Sequence, residues 1–176
     1  NQYGQVSGTC TGAITTTTLR TISGFNAFRG LAFSPVKQTV SLGANTPATG
    51  TLTAGATDVV LFQFNLAANE GNSTIKKLIL KQNGTLTIGT DITSFRLIED
   101  ANNNGIYDGG ETVLSGGTTS GTNITFASIT QSAIAQGGNN NYLVIGNIAA
   151  SPSSGTFIPS IVGNKTLNTV NYTTNL

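Results

Sequence analysis

The sequence predicts an all-β protein: a single immunoglobulin-like or jelly-roll β-sandwich preceded by an N-terminal β-strand arm. Three observations favour this fold class. Thr (29 residues), Asn (19) and Gly (22) are abundant, and Thr favours strands whereas Asn and Gly favour turns. Short apolar runs alternate with turn clusters at the spacing typical of sandwiches. Only 9% of the residues are charged, so the residues that build surface helices are too sparse for amphipathic helices.

Alternation of apolar and polar side chains marks individual strands. Val60, Phe62, Phe64 and Leu66 are predicted to share one face of a strand, with Gln63 and Asn65 on the other face. Strands are predicted, several of them supported by such alternation, near residues 36–42, 58–67, 75–81, 93–99, 111–115, 122–127, 141–149, 156–162 and 166–173. Turns are predicted at residues 43–47, 69–72, 83–84, 115–117 and 137–140, where Gly and Asn cluster.

Residues 1–34 differ from the sandwich domain predicted for residues 35–176. Residues 12–22 have strong β propensity and include four consecutive threonines. One interpretation makes this segment the first strand of the same sandwich. The other makes it a donor strand that pairs with the sheet edge of a neighbouring copy, where backbone groups lack partners. The donor-strand anchors would be Ile14, Leu19 and Ile22, whose mixed parity would require a bulge or a twist.

The most specific motif is the loop at residues 100–111. It fits the calcium-loop pattern D-x-[DN]-x-[DN]-G-x5-E at every specified position. The predicted ligands are oxygens of Asp100, Asn102, Asn104, Ile106, Asp108 and Glu111. Four of the seven acidic residues lie in the stretch 99–111, so a cation there would relieve their mutual repulsion.

The sequence around this loop predicts strands on both sides. The loop therefore resembles those of EF-hands and dockerins in its ligands but not in its scaffold. We expect a structural Ca²⁺ with a dissociation constant of about 10⁻⁴–10⁻³ M, as in other extracellular modules. A metal-free hairpin rich in Asn and Gly is the alternative.

Five N-x-[ST] sequons are candidate glycosylation sites. They begin at Asn72, Asn83, Asn123, Asn164 and Asn171. A sequon is an acceptor only in a secreted chain, and a chain so rich in Asn and Thr produces sequons by chance. The sequons at Asn72 and Asn83 are preferred because both residues lie at predicted turns. Cys10 is the only cysteine, which excludes an internal disulfide and leaves an inert or an intersubunit thiol.

Composition argues against several function classes. The chain has no His, which removes the usual triads and His-ligated zinc, so we expect no enzymatic activity. A net charge of +1 without a basic patch argues against nucleic-acid binding, and the sequence has no apolar run long enough to span a membrane. Because the chain contains no Met, we expect an extracellular or cell-surface protein secreted after removal of a signal peptide.

Three stretches resemble β-sandwich modules of bacterial and archaeal surface proteins: residues 57–66, 95–108 and 141–146. With its N-terminal arm, the chain looks like a subunit of donor-strand-linked pili or environmental glycoprotein filaments. It lacks the disulfide of chaperone–usher pilins and the long apolar helix of type IV pilins. The resemblance implies a head-to-tail polymer of copies of itself, open to covalent glycans. The alternative is a calcium-stabilised adhesion or carbohydrate-binding module of a larger surface protein.

Overall fold

The computed structural model describes residues 38–162, and all helix or strand in this range is β. The strands are β1 (Gln38–Leu42), β2 (Val59–Ala68), β3 (Lys77–Gln82), β4 (Ile92–Asp100), β5 (Thr112–Ser120), β6 (Asn123–Ala127), β7 (Asn139–Ile148) and β8 (Pro159–Ile161). The predicted all-β class is confirmed. Outside the described residues lie the predicted arm at 1–34 with Cys10, Ile14, Leu19 and Ile22, and the predicted strand at 166–173.

The eight strands form one antiparallel sheet in the order β1-β2-β7-β4-β5-β6-β3-β8. Strand β5 changes partner along its length: Gly116 pairs with Arg96 of β4, whereas Gly117 pairs with Phe126 of β6. The sheet therefore curls at this strand.

One apolar core gathers side chains from strands that are far apart in the sheet order. Phe64 of β2, Leu80 of β3 and Phe126 of β6 belong to the same cluster and are almost fully buried. Phe64 also stacks on Tyr142 of β7, with ring centroids 5.2 Å apart. Because β2 and β3 share this core without pairing, the curl brings both ends of the sheet onto it.

Two details of the strand predictions are wrong. The register between β2 and β7 shifts between Val60 and Phe62, so Val60 packs with a second cluster of Ile98, Leu143 and Ile145 rather than with Phe62. The predicted turn at 115–117 is instead part of β5, which continues to Ser120. In both cases pairing with neighbouring strands overrides the local pattern.

Gly117 lies where β5 passes from β4 to β6, and it has no room for a side chain. A Cβ at this position would lie 2.8 Å from the Phe95 Cβ and 2.9 Å from a ring carbon of Phe126, whereas a Cβ at Gly116 would meet nothing within 4 Å. We expect Gly117→Ala to lower the free energy of unfolding by about 1–3 kcal/mol, as overpacking does. Gly116→Ala is the matched control and should change it little. Equal urea midpoints for the two variants would contradict close packing at this corner.

Asp91, which is 2% exposed, connects the turn before β4 to the loop after β7 by hydrogen bonds. Its Oδ1 accepts a hydrogen bond from the Ser153 N–H (2.8 Å) and its Oδ2 one from the Thr87 N–H (2.7 Å). These backbone hydrogen bonds, that of Ser153 first, hold the pKa of Asp91 below its ordinary value of 3.8. The ionised carboxylate therefore stabilises the fold.

Asp91 is expected to add an acid-sensitive component to stability. A carboxyl with a lowered folded pKa contributes stability above its unfolded pKa, and this contribution is lost as the pH falls through the folded pKa. Near neutral pH the wild type should be more stable than Asp91→Asn, and the gap should narrow below pH 3.8. Urea unfolding of both proteins across this range measures the gap. A gap that is independent of pH would contradict the assignment.

Candidate metal site and sheet edge

The predicted calcium loop connects β4 to β5, with Asp100 as the last residue of β4 and Glu111 directly before β5. Gly105 has a φ of +74°, a conformation that favours glycine. A Cβ on Gly105 would also lie 2.4 Å from the carbonyl oxygen of Asn45. The glycine of the motif is thus required both by its backbone conformation and by the packing of the loop against the turn after β1.

Asp100 is the buried end of the loop, with only 2% of its surface exposed. Its Oδ1 accepts a hydrogen bond from the Asn104 N–H at 3.1 Å. Its Oδ2 accepts hydrogen bonds from the Gly105 N–H at 3.0 Å and from Gln63 Nε2 at 2.5 Å. These bonds fold the first turn of the loop around a buried carboxylate.

Three more of the predicted ligand residues meet at one point. Asn102 Nδ2 and Asn104 Nδ2 both donate to Asp108 Oδ2, at 2.9 Å and 2.7 Å. The hydrogen bonds from Asn102 and then Asn104 lower the pKa of Asp108. The Oδ1 atoms of the two asparagines accept hydrogen bonds from the N–H groups of Asn104 and Ile106. The loop therefore directs two amides and a carboxylate towards the same place.

Glu111 closes the loop with one satisfied oxygen and one unsatisfied oxygen. Its Oε2 accepts a hydrogen bond from the Asp108 N–H at 3.1 Å, whereas its buried Oε1 has no hydrogen-bond partner in the described part of the chain. Burial raises the pKa of Glu111, and the charges of Asp100 and Asp108 raise it further. A buried carboxylate oxygen without a donor is the kind of group that a bound cation satisfies.

A cation in this loop would need ligands other than clustered carboxylates. Within residues 38–162, no group of three or more His, Cys, Asp and Glu side chains is placed to hold a metal ion. Calcium also accepts amide and backbone carbonyl oxygens, so Asn102, Asn104 and the Ile106 carbonyl would have to contribute. The two amides direct nitrogen at Asp108. Rotating each amide would direct oxygen there instead, at the expense of the bonds that the N–H groups of Asn104 and Ile106 donate to Oδ1.

Gln63 is the site residue that sequence reasoning missed. The alternation of β2 groups it with Asn65 on the polar face, yet Gln63 is fully buried. Besides Asp100, its Nε2 reaches Asn103 Oδ1 at 3.0 Å, and its Oε1 accepts a hydrogen bond from the Asn45 N–H at 2.9 Å. Its position between Phe62 and Phe64 gives no local signal of this role, because its partners are 18 to 40 residues away in sequence.

Two strands of the described sheet have a hydrogen-bonded neighbour on one side only, namely β1 and β8. β8 has three residues and includes Pro159, which has no N–H; shortness and proline both protect a sheet edge against further pairing. β1 has five residues and neither proline nor charge. Its Leu42 pairs with the buried Phe64, yet it is 48% exposed. As far as residues 38–162 show, the β1 edge therefore has neither proline nor charge to protect it.

The sequons differ in how their amide nitrogens are used. Asn83 Nδ2 donates to Ser160 Oγ at 2.9 Å and, more weakly, to the carbonyls of Lys81 and Ile158. Asn72 is exposed, and its Oδ1 accepts a hydrogen bond from the Gln136 N–H. The Asn123 side chain is exposed and has no hydrogen bond to another described residue. Asn164 and Asn171 lie outside the described residues.

No helix that could cross a membrane occurs between residues 38 and 162. Comparison of the chain with protein-family models, curated proteins and solved structures gives no match. The features of the described residues that bear on function are the loop at 100–111 and the β1 edge.

Proposed function

We propose that this chain is a structural subunit of an extracellular filament. In this filament, the N-terminal segment of one copy adds as a strand to the β1 edge of the next copy. The observation that carries the proposal is the unprotected β1 edge, with Leu42 on its core-facing side and 48% exposed.

Strand addition at β1 would satisfy two needs of this edge at once. The added strand would pair with backbone groups of β1 that face away from β2, and its side chains would cover Leu42. Fully burying a leucine contributes about 1.5–3 kcal/mol, so covering the exposed half of Leu42 contributes about 1 kcal/mol. Backbone pairing and the anchors Ile14, Leu19 and Ile22 would supply the rest of the free energy of association.

The contact would be head-to-tail, because the donor segment and the acceptor edge are different parts of the chain. Contacts of this type propagate into a filament unless the rotation between subunits closes a ring. A content of only 9% charged residues leaves little repulsion between copies. These features favour a polymer of identical subunits outside the cell, where sequons could also be glycosylated.

In this proposal Ca²⁺ bound by the loop 100–111 stabilises the subunit and takes no part in catalysis. Calcium would neutralise Asp108 and Glu111, and it would take as a ligand the Glu111 Oε1, which has no hydrogen-bond partner among the described residues. Extracellular calcium is in the concentration range that such modest sites require.

Electron microscopy of three full-length proteins in calcium tests the proposal. The wild type should form filaments, and Leu42→Lys should abolish them because a lysine charge on the core-facing side of β1 cannot be buried under an added strand. Val162→Lys is the matched control, since Val162 follows β8 and is 40% exposed; it should polymerise normally.

The other outcomes are equally informative. Loss of filaments only in Val162→Lys would move strand addition to the β8 edge. Filaments from both variants would rule out addition at either described edge. Monomers from the wild type would refute the filament and leave a calcium-stabilised adhesion or carbohydrate-binding module as the better account. A variant without residues 1–34 should stay monomeric if these residues supply the donor strand.

A further inference from the structure

We propose that calcium in the loop 100–111 controls the order of the β1 edge, through a relay formed by Gln63 and Asn45. The inference rests on the calcium site proposed above and gives it a regulatory role. It does not depend on polymerisation. Its basis is the direct contact between the calcium loop and the turn at residues 43–46, where β1 ends.

The relay is a continuous set of hydrogen bonds. Gln63 Nε2 donates to Asp100 and Asn103 of the loop, and Gln63 Oε1 accepts from the Asn45 N–H of the turn. A second connection bypasses Gln63: Asn45 Nδ2 donates to the carbonyl oxygen of Asn103 at 2.6 Å. The loop and the turn are therefore joined through a buried side chain and also directly.

Tight packing makes this connection stiff. A Cβ at Gly43 would lie 2.2 Å from Gln63 Oε1, and a Cβ at Gly105 would lie 2.4 Å from the Asn45 carbonyl oxygen. The Gly43 N–H also donates to the Gln63 carbonyl at 2.9 Å. Since both glycines are needed for this close approach of the loop, Gln63 and the turn, we expect movement of the loop to displace the turn.

The consequence falls on β1 because this strand has little other support. It pairs with β2 alone within the described sheet, and strands supported on one side open locally more easily than central strands. Leu42 immediately precedes Gly43, so a turn held by the calcium loop also holds the end of β1 that carries the exposed apolar side chain. Calcium would thus keep the acceptor edge in a conformation ready for pairing.

Hydrogen exchange of the full-length chain tests this relay. Peptides covering residues 38–46 would be compared in calcium and in chelator, at a concentration where size-exclusion chromatography gives a single monomer peak. We expect calcium to slow exchange in this segment by about 5-fold or more, the lower end of typical coupling between sites. Calorimetric titration with calcium alone would measure binding on the same samples.

Two asparagine variants separate the relay from general support of β1. Asn45→Ala removes the direct bond to Asn103 from an exposed residue but keeps the bond from the Asn45 N–H to Gln63 Oε1. It should therefore reduce the effect of calcium on exchange, while calcium still binds. Asn69→Ala is the control: it removes a hydrogen bond from Asn69 Nδ2 to Thr39 Oγ1 of β1, outside the relay. It should speed exchange equally with and without calcium, so that the calcium effect persists.

The outcomes distinguish this inference from the proposed function. Calcium binding with unchanged exchange at 38–46 would overturn the relay but leave the calcium site standing. A calcium effect that survives unchanged in Asn45→Ala would also overturn it. Absence of calcium binding would overturn both the relay and the proposed site. Filament formation is a separate measurement, since every sample in this experiment is monomeric.

Discussion

Asp100→Ala is expected to abolish measurable calcium binding and to destabilise the chain even without calcium. Asp100 is 2% exposed, and its carboxylate accepts hydrogen bonds from Asn104, Gly105 and Gln63. Leaving a buried donor unsatisfied costs about 1–3 kcal/mol. Since Gln63 and Gly105 are both buried, we expect a loss of about 2–5 kcal/mol in the free energy of unfolding.

Asp108→Ala is the matched control, because it removes another predicted carboxylate ligand from an exposed position. It should weaken calcium binding at least about 10-fold, equivalent to 1.4 kcal/mol, yet leave urea unfolding in chelator almost unchanged. Calorimetric titration and unfolding curves, each recorded for both variants, measure the two effects. Unchanged calcium affinity in both variants would refute the site. Equal loss of stability in chelator would contradict the division between a buried and an exposed end of the loop.

Phe126→Ala is expected to produce one of the largest losses of stability among single substitutions in the core. Phe126 is fully buried on β6 and touches the Gly117 corner where the sheet curls. Removing a buried phenylalanine side chain costs about 3–5 kcal/mol, because the surrounding residues refill the cavity only in part. Domains of this size have a total stability of about 5–15 kcal/mol, so the variant should lose a large fraction of its stability.

Phe157→Ala removes the same side chain from a partly buried position packed against the core. Because Phe157 is already partly hydrated, its removal should cost roughly half as much. Urea unfolding monitored by circular dichroism gives both values. If Phe157→Ala lowered the free energy of unfolding as much as Phe126→Ala, the core would not be centred on the buried side chains of strands such as β6.

The sequence alone predicted the strands and the loop because these depend on neighbours in the chain. Alternation places Phe62, Phe64 and Leu66 on one face whatever the partner strand is. The ligand spacing of residues 100–111 is likewise a local property, as is the need for glycine at position 105. For this reason the all-β class and the position of the loop between two strands agree with the structure.

Other features were decided only by strands and turns that are distant in the chain. Alternation does not reveal that Gln63 is buried beneath the loop, because Asp100 is 37 residues away. The glycines at 116–117 suggested a turn. Instead β5 continues through them, because its first half pairs with β4 and its second half pairs with β6. The exposure of Leu42 depends on β1 having one neighbour in the described sheet. A local pattern indicates which face a side chain takes, except where pairing introduces a register shift, as at Val60. The pairing of distant strands decides what covers that face.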